Sequence, residues 1–364
     1  MIIIISSNHY PDDERIYHRQ IKSLTIQKKE ILYITRSSSK INLTNRFINH
    51  KNFDLPLSTF IKVCKKLIKK EKSINFVQIH ETNLLPLFKY IKLFRSFVKT
   101  IYDVHEDMDS LYRTFSERNI FIKEISIFLR RKQENYYMKY VDNIILANPQ
   151  LNQEPYSKYN INKLISENFP EKKYIFENFQ NTTRPISIVY HGHLAPERGL
   201  SDLIQAMGLV LEKYPKAKLV ILGSFRTTSF KNKINSLVSS VSKKNIIIKN
   251  QIPYDQVWEI LRNSSIGVIP FRKNPLTDNN TPTKLFEMMA SGLAIVSSDL
   301  RPIRYFVEDT IYWSQPSNPN SIAKNIMASI NDENVNFKIN KNLELIKLKY
   351  NWEKIEGSYT SIFN

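Results

Sequence analysis

The chain has 364 residues, 42% of them hydrophobic, with 20 Phe, 19 Tyr, a formal net charge of +19 and one cysteine. That length and apolar content fit two cores of roughly 150–200 residues each and argue against long disordered stretches, while a lone Cys64 excludes an internal disulfide framework and zinc ribbons. Only seven glycines occur, none before Gly192, against about 25 at average usage, which excludes collagen-like and glycine-rich readings and any G-x-G-x-x-G fingerprint or P-loop in the first 191 residues.

In chain order, short apolar runs predict strands at Ile2–Ser6, Ile31–Thr35, Phe76–Ile79, Thr100–Val104 and Asn143–Ala147. A second set follows at Ile186–His191, Lys218–Leu222, Asn245–Lys249, Ile266–Pro270 and Ala294–Ser298. Nearly unbroken apolar character is expected of parallel strands buried on both faces. Helical patterns fall between them at Arg15–Ile26, Leu84–Val98, Ile120–Tyr140, Leu200–Tyr214, Gln256–Arg262 and Pro282–Ser291. Strand–helix alternation in two sets predicts two doubly wound α/β domains facing across a cleft. The expected boundaries are 1–165 for the first domain, 166–185 for a linker and 186–349 for the second, with a last helix over 350–364. Cys64 falls in a basic helical run and reads as a packing residue. No run of 18 apolar residues occurs, so no membrane-spanning helix is expected, and the opening Met1–Ile5 lacks the basic flank of a signal peptide.

Three segments in the second half carry chemistry. Thr281-Pro-Thr-Lys-Leu-Phe-Glu287 opens a predicted helix that Gly292 closes, with Thr281 as cap, Pro282 at the first position and Gly292 in a left-handed stop. Amides at Thr283, Lys284 and Leu285, with the Lys284 ammonium, form an anion site, and Glu287 one turn on can accept two hydroxyl hydrogen bonds. A surface helix with solvated Lys and Glu fits the same pattern. Tyr190–Leu200 runs from a strand through Gly192, His193 and Arg198 into a helix. A guanidinium there can clamp a diphosphate, or bond loop carbonyls. Leu219–Phe225 ends a strand on Gly223-Ser224, which admits backbone to a ligand.

These segments resemble the retaining GT-B glycosyltransferases of family 4, of the surface-polysaccharide type. The likeness rests on Tyr190–Ala206, Leu219–Gly223 and Pro282–Val296, with Asp12–Ile16, His80–Pro86, Tyr102–Glu106, Val141–Ile145 and a tail near Trp352 in support. The resemblance implies transfer of a sugar from a UDP- or GDP-sugar to a glycan or polyprenyl-diphosphate-linked saccharide, without metal or other cofactor. Arg198 and Lys284 would contact the diphosphate and Glu287 the ribose. Gly192, His193, Ser224, Thr283, Leu285 and, beside the base, Ile252 complete the donor set. His105, Glu106 and Asn279 are the catalytic candidates; Asn279 stands where many family members carry an acid. Asp13, Arg15, His80 and Glu81 are expected on the acceptor side. The acids Asp103, Glu106, Asp107 and Asp109 are expected to cluster near His105. The last helix would pack back onto the first domain.

The charge excess suits an anionic membrane, nucleic acid or phosphate-rich substrate. Phe60–Lys72, Leu84–Lys99 and Ile120–Lys132 mix Lys and Arg with large apolar residues. They read as ordinary sheet-packed helices or as an interfacial surface on the inner face of the cytoplasmic membrane. Nucleic-acid binding lacks any supporting motif. The competing functions are a non-catalytic sugar-nucleotide binder and a GT-B-fold epimerase.

Overall fold

The computed structural model describes residues 1–39, 41, 43, 45–153, 155–177, 185–307 and 309–364. They form two compact units, Met1–Asn168 with Glu353–Asn364, and Phe169–Trp352.

The first unit is built on β1 (Ile2–Ser6), β2 (Ile31–Arg36), β3 (Ile48–Phe53), β4 (Phe76–Ile79), β5 (Lys99–Val104), β6 (Asn143–Leu146) and β7 (Asn162–Ile165), all parallel, in the order β3-β2-β1-β4-β5-β6-β7. β1 is isoleucine from Ile2 to Ile5 and buried throughout, because helices cover both faces of a parallel sheet. The second unit carries β8 (Ser187–His191), β9 (Lys218–Leu222), β10 (Ile246–Lys249), β11 (Ile266–Ile269), β12 (Ala294–Ser298) and β13 (Tyr312–Ser314), again parallel, in the order β10-β9-β8-β11-β12-β13. In each sheet the winding reverses at the first strand, between β1 and β4 and between β8 and β11. Ligands of such sheets sit beyond the carboxyl ends of the strands at that reversal.

The covering helices follow the apolar period. Leu57–Lys70 buries Phe60, Cys64 and Ile68 at four-residue spacing and turns its lysines outward. Its last-turn Lys69 and Lys70 complement the helix dipole. Ile120–Met138 does not obey this rule. It buries only Ile127, Glu134 and Met138 and leaves Ile120, Phe121, Ile122, Ile125, Phe128 and Leu129 exposed. The first helical segment begins as a π-helix, Glu14–Ile21, capped by Asp13 and continued by Lys22–Ile26. A 3.6-residue turn would set Arg15 and Gln20 about 140° apart. The wider i→i+5 turn brings them to one side, and both reach Asp103.

Three strands escape the apolar-run reading: β3, β7 and β13. All are sheet edges, and β3 and β7 are mostly half-exposed and polar (Asn49, His50, Lys51; Asn162, Lys163). Polar, charged edges block pairing with other chains, so they carry no apolar run. The Leu84–Val98 run divides into a short turn, Thr82–Leu84, and the helix Pro86–Phe94, because Pro86 takes the first position and Arg95 leaves helical geometry. The segment read as a linker is anchored where described. Phe169 packs on Phe286 and Phe306, and Tyr174 stacks on Trp258 at 4.6 Å. Its residues 178–184 lie outside the described residues. The helix Trp352–Ser361 ends in the first unit, with Tyr359 bonded to Gln78 and Phe363 against Phe76.

Gly199 adopts φ +69°, and a Cβ there would stand 1.7 Å from the Pro270 carbonyl oxygen. Gly357 lies within the last helix with nothing within 4 Å of its would-be Cβ. Gly199→Ala is expected to lower stability by about 3 kcal/mol or more. Gly357→Ala is expected to raise it by about 0.5–1 kcal/mol. Denaturant unfolding of the two variants checks the contrast.

Candidate functional site

In the second unit the groups of interest gather beyond the carboxyl ends of β8, β9 and β11. The helix Lys284–Ala290 follows β11, and Gly292, at φ +66°, stops it in the left-handed conformation. The cap is Thr283, not Thr281, and it contributes no side-chain bond. The Leu285 amide is committed to the Pro282 carbonyl at 3.0 Å and its side chain is core. Of the three amides expected to be open, that one is closed, because the proline carbonyl tightens the turn that starts the helix.

Lys284 is buried. Its ammonium rests on two aromatic faces, 4.1 Å from the Tyr190 ring centroid and 4.8 Å from that of Phe271. Phe271 also carries the Arg198 guanidinium at 4.6 Å, so one ring serves two cations by its quadrupole. Glycine is favoured at position 192 by its φ of +109°, and a Cβ there would also press on the Lys284 Nζ at 3.0 Å. Burial first, and then the charge of Arg198, push the Lys284 ammonium well below its usual pKa, with Glu287 opposing. Glu287 is buried one turn along, its carboxylate 3.5 Å from the His191 Nε2. Burial and the Lys284 charge push His191 down to about 3; the imidazole is neutral.

The backbone around this cluster is fixed by β8 and β9. The Ser224 carbonyl accepts from the Leu194 amide at 2.9 Å, and Tyr190 donates its hydroxyl to the His193 carbonyl at 2.8 Å. The His193 ring is exposed and its pKa is lowered, chiefly by desolvation and then by Arg198. Thr283 is exposed at the helix start. One expected donor residue and one catalytic candidate stand apart. Ile252 follows β10, an edge strand two strands from β8, and the Asn279 side-chain oxygen accepts from Arg301 at 2.7 Å.

In the first unit, groups gather beyond β1, β4 and β5 around the fully buried Asp103. Arg15 binds it two-pronged, at 2.7 and 3.1 Å, and Gln20 donates to it at 2.6 Å. Although burial would raise the Asp103 pKa, Arg15 and then the neighbouring histidines hold it well below the usual carboxylate range. The remaining Arg15 nitrogen bonds the Ser166 carbonyl and Asn168. His80 Nδ1 lies 2.9 Å from His105 Nε2 and 3.3 Å from Asp103. The His9 ring lies against His105, tilted by 40°, with ring centroids 4.3 Å apart.

Several expected acceptor-side groups are thus committed within the protein. Arg15 neutralises Asp103. Glu81 holds the turn after β1 through Ser6, Ser7 and Asn8. Asp13 caps the π-helix and pairs with His9. The expected acidic cluster is dispersed: Asp107 caps Met108–Phe115, Asp109 pairs with Arg130 and Arg131, and Glu106 is exposed. Local capping and pairing give Asp103, Asp107 and Asp109 each a partner of its own. The ligand atoms of His80, Asp103 and His105 lie within 4.8 Å of one another, close enough for a metal ion. The one carboxylate among them, however, is already matched by a guanidinium. Tyr190, His191 and Phe271 in one unit and His9, Gln20, Gln78 and Tyr359 in the other were absent from the sequence-based site. A lone Gln inside the apolar strand Phe76–Ile79 was the available signal.

Residues 170–345 match the family model described as Glycosyl transferases group 1. A curated relative, the lipopolysaccharide 1,2-N-acetylglucosaminetransferase of Salmonella typhimurium, is 23% identical over 177 residues, 46% of this chain and 45% of its own. The chain therefore matches less than half the length of that relative. Among solved structures, sucrose-phosphate synthase from Thermosynechococcus elongatus superposes with a TM-score of 0.79 at 16% identity, covering 100% of this chain and 98% of that one. Anabaena HepE in complex with UDP gives a TM-score of 0.74 at 10% identity, covering 100% and 99%. At these identities the likeness is one of fold: two Rossmann-like parallel-sheet domains, the GT-B architecture.

His191 and His105 are both held at about 3, against about 6.5 for an unfolded imidazole. Between those values the unfolded chain binds protons that the folded chain refuses, so each group lowers stability on acidification. His9 is shifted up by Asp13, Glu81 and Asp103 against its burial and works in the opposite sense. All three tryptophans, Trp258, Trp313 and Trp352, lie in the second unit, so their fluorescence follows its unfolding. That unit is expected to lose stability from pH 7 to pH 5. His191→Gln is expected to remove up to about 1.4 kcal/mol per pH unit of the slope.

Proposed function

We propose, taking residues 170–345 as a glycosyl transferases group 1 domain, that the chain moves a sugar from a UDP- or GDP-linked donor to a glycan or lipid-linked saccharide acceptor, with retention at the anomeric carbon. The observation that carries this reading is the buried Lys284 ammonium, seated on Tyr190 and Phe271 beside Arg198. A desolvated cation gains most from an anion that replaces the missing water. A diphosphate brings such an anion, and the charge that develops on it as the glycosidic bond breaks is met by these two cations without a metal. Glu287 is assigned to the ribose hydroxyls, with neutral His191 behind it. Gly192, His193, Ser224 and the Thr283 amide frame the diphosphate. The acceptor hydroxyl attacks from the leaving-group face and passes its proton to the departing phosphate. The protein positions and stabilises charge. His105, Glu106 and Asn279 remain the residues assigned to the donor sugar and the acceptor.

The named relative in Salmonella supports an acceptor of the lipopolysaccharide kind, and work on such an acceptor, or on a capsule, O-antigen or exopolysaccharide, would lie at the inner face of the cytoplasmic membrane. No helix among the described residues is long and apolar enough to cross a membrane. The surface that fits an anionic bilayer is Ile120–Met138, where exposed Phe121, Ile125 and Phe128 adjoin Lys123 and Lys132, while Arg130 and Arg131 pair with Asp109. Lys92 and Arg95, basic residues of the neighbouring helix, instead bind Asp142 and the Glu71 and Lys69 carbonyls.

UDP or GDP is expected to raise the melting temperature, and the matching nucleotide sugar to be turned over with a saccharide acceptor. Lys284→Met should leave stability unchanged or improved, since a buried unpaired charge is removed. It should weaken nucleotide binding by about 10–100-fold. Unchanged affinity would remove Lys284 from the donor site. Flotation with phosphatidylglycerol vesicles should be lost in Phe121→Ser/Phe128→Ser, and equal flotation of variant and parent would defeat the membrane assignment.

A further inference from the structure

Histidine beside a buried aspartate ordinarily works as a base. Its far nitrogen is left unprotonated because its near N–H points at the carboxylate. Here the donors and acceptors around Asp103 allow only a different arrangement. The negative carboxylate fixes Gln20 with its amide NH2 toward Asp103 at 2.6 Å, so the Gln20 oxygen faces Gln78 and accepts from its NH2 at 2.8 Å. Gln78 is thereby oriented. Its oxygen accepts the Tyr359 hydroxyl at 3.1 Å, and its NH2 points at His80 Nε2, 3.2 Å away. That nitrogen must accept, so the His80 hydrogen sits on Nδ1. His80 Nδ1 faces His105 Nε2 at 2.9 Å and Asp103 at 3.3 Å. Two hydrogens do not fit between nitrogens 2.9 Å apart. His105 Nε2 must therefore be the acceptor, and its own hydrogen sits on Nδ1. The Asp103 carboxylate, 3.6 Å from His105 Nε2, lies beyond hydrogen-bond reach.

We infer that His80 is a positioning residue that holds His105 in the neutral form protonated at Nδ1, so that His105 meets a bound oxygen atom as a hydrogen-bond donor and not as a base. His80 does this by standing between His105 and Asp103. The geometry also resists a second proton on His105. His9, paired with Asp13 at 3.3 Å, lies tilted against its ring, Arg15 occupies Asp103, and burial followed by the His9 charge pushes His105 down to about 3. The bound oxygen, a sugar or acceptor hydroxyl, rests on the function proposed above; the tautomer does not.

The experiment is long-range 1H–15N correlation on 15N-histidine-labelled full-length protein at pH 7, with His105 assigned by its loss in His105→Gln. The parent chain should show His105 protonated at Nδ1. In His80→Leu the polar partner left nearest Nε2 among the described residues is Asp103, so the hydrogen should move to Nε2 and the titration midpoint should rise by more than about one unit. In His80→Asn an amide NH2 takes the place of the His80 Nδ1–H, and His105 should keep its hydrogen on Nδ1. A parent His105 protonated at Nε2, or doubly protonated, overturns the inference. So does a His80→Leu chain whose His105 is unchanged. If His80→Leu fails to fold, His80→Met carries the same comparison. Failure of the functional reading would appear separately, as absence of nucleotide binding or transfer by the parent chain.

Discussion

A single buried charge organises the first unit. Asp103 has no contact with solvent, and a carboxylate so placed is tolerated only when a cation and further donors surround it. Arg15 supplies the cation and Gln20 a further donor, with His80 Nδ1 3.3 Å away. The demand is met by segments far apart in the chain. The helix after β1 must widen to a π-turn to deliver Arg15 and Gln20 together, β4 must carry polar Gln78 in an apolar strand, and the last helix must return to set Tyr359 on Gln78. Local distortions that cost free energy on their own are held in place because removing any one exposes the same charge.

The second unit handles charge in the opposite way. Lys284 and Arg198 are held by aromatic faces, and the Glu197 carboxylate beside Arg198, at 3.8 Å, pairs more closely with Arg226 at 2.8 Å. Asp202 is taken by Arg272 and Glu197 by Arg226. Cations kept on rings stay available to an incoming anion, whereas cations kept on carboxylates are already neutralised. Arg15 and Arg198 are thus the same residue type in related sheets with different work: one closes a structural charge, the other stands beside an open one.

Sequence patterning reached the fold well where it was apolar. β1, β4, β9 and β12 fall where the isoleucine, valine and leucine runs end, because burial on both faces leaves a continuous signal. It missed β3 and β7, which are polar, half-exposed edges, and β13, an edge strand of three residues that is too short to make a run. At the second unit, Gly192, Arg198, Lys284 and Glu287 were legible because strand, turn and helix start lie within one short segment each. The ring partners were not: Tyr190, in β8, reaches Lys284 only through the pairing of β11 with β8. At the first unit, Arg15 and Asp103 were each visible as polar residues, but their pairing across 88 positions is a product of topology, and the π-turn that permits it leaves no periodic mark.

The contribution of the last helix also sets an order of events during synthesis. Tyr359 and Phe363 complete the core of a unit whose remaining residues end at Asn168. The whole second unit must leave the ribosome first. At about 5–20 residues per second that takes on the order of tens of seconds. During that interval β4 has no cover from the final helix, and Gln78 lacks the hydroxyl that satisfies its oxygen. The first unit to be made is therefore the last to be finished, and its closing step belongs to the full-length chain.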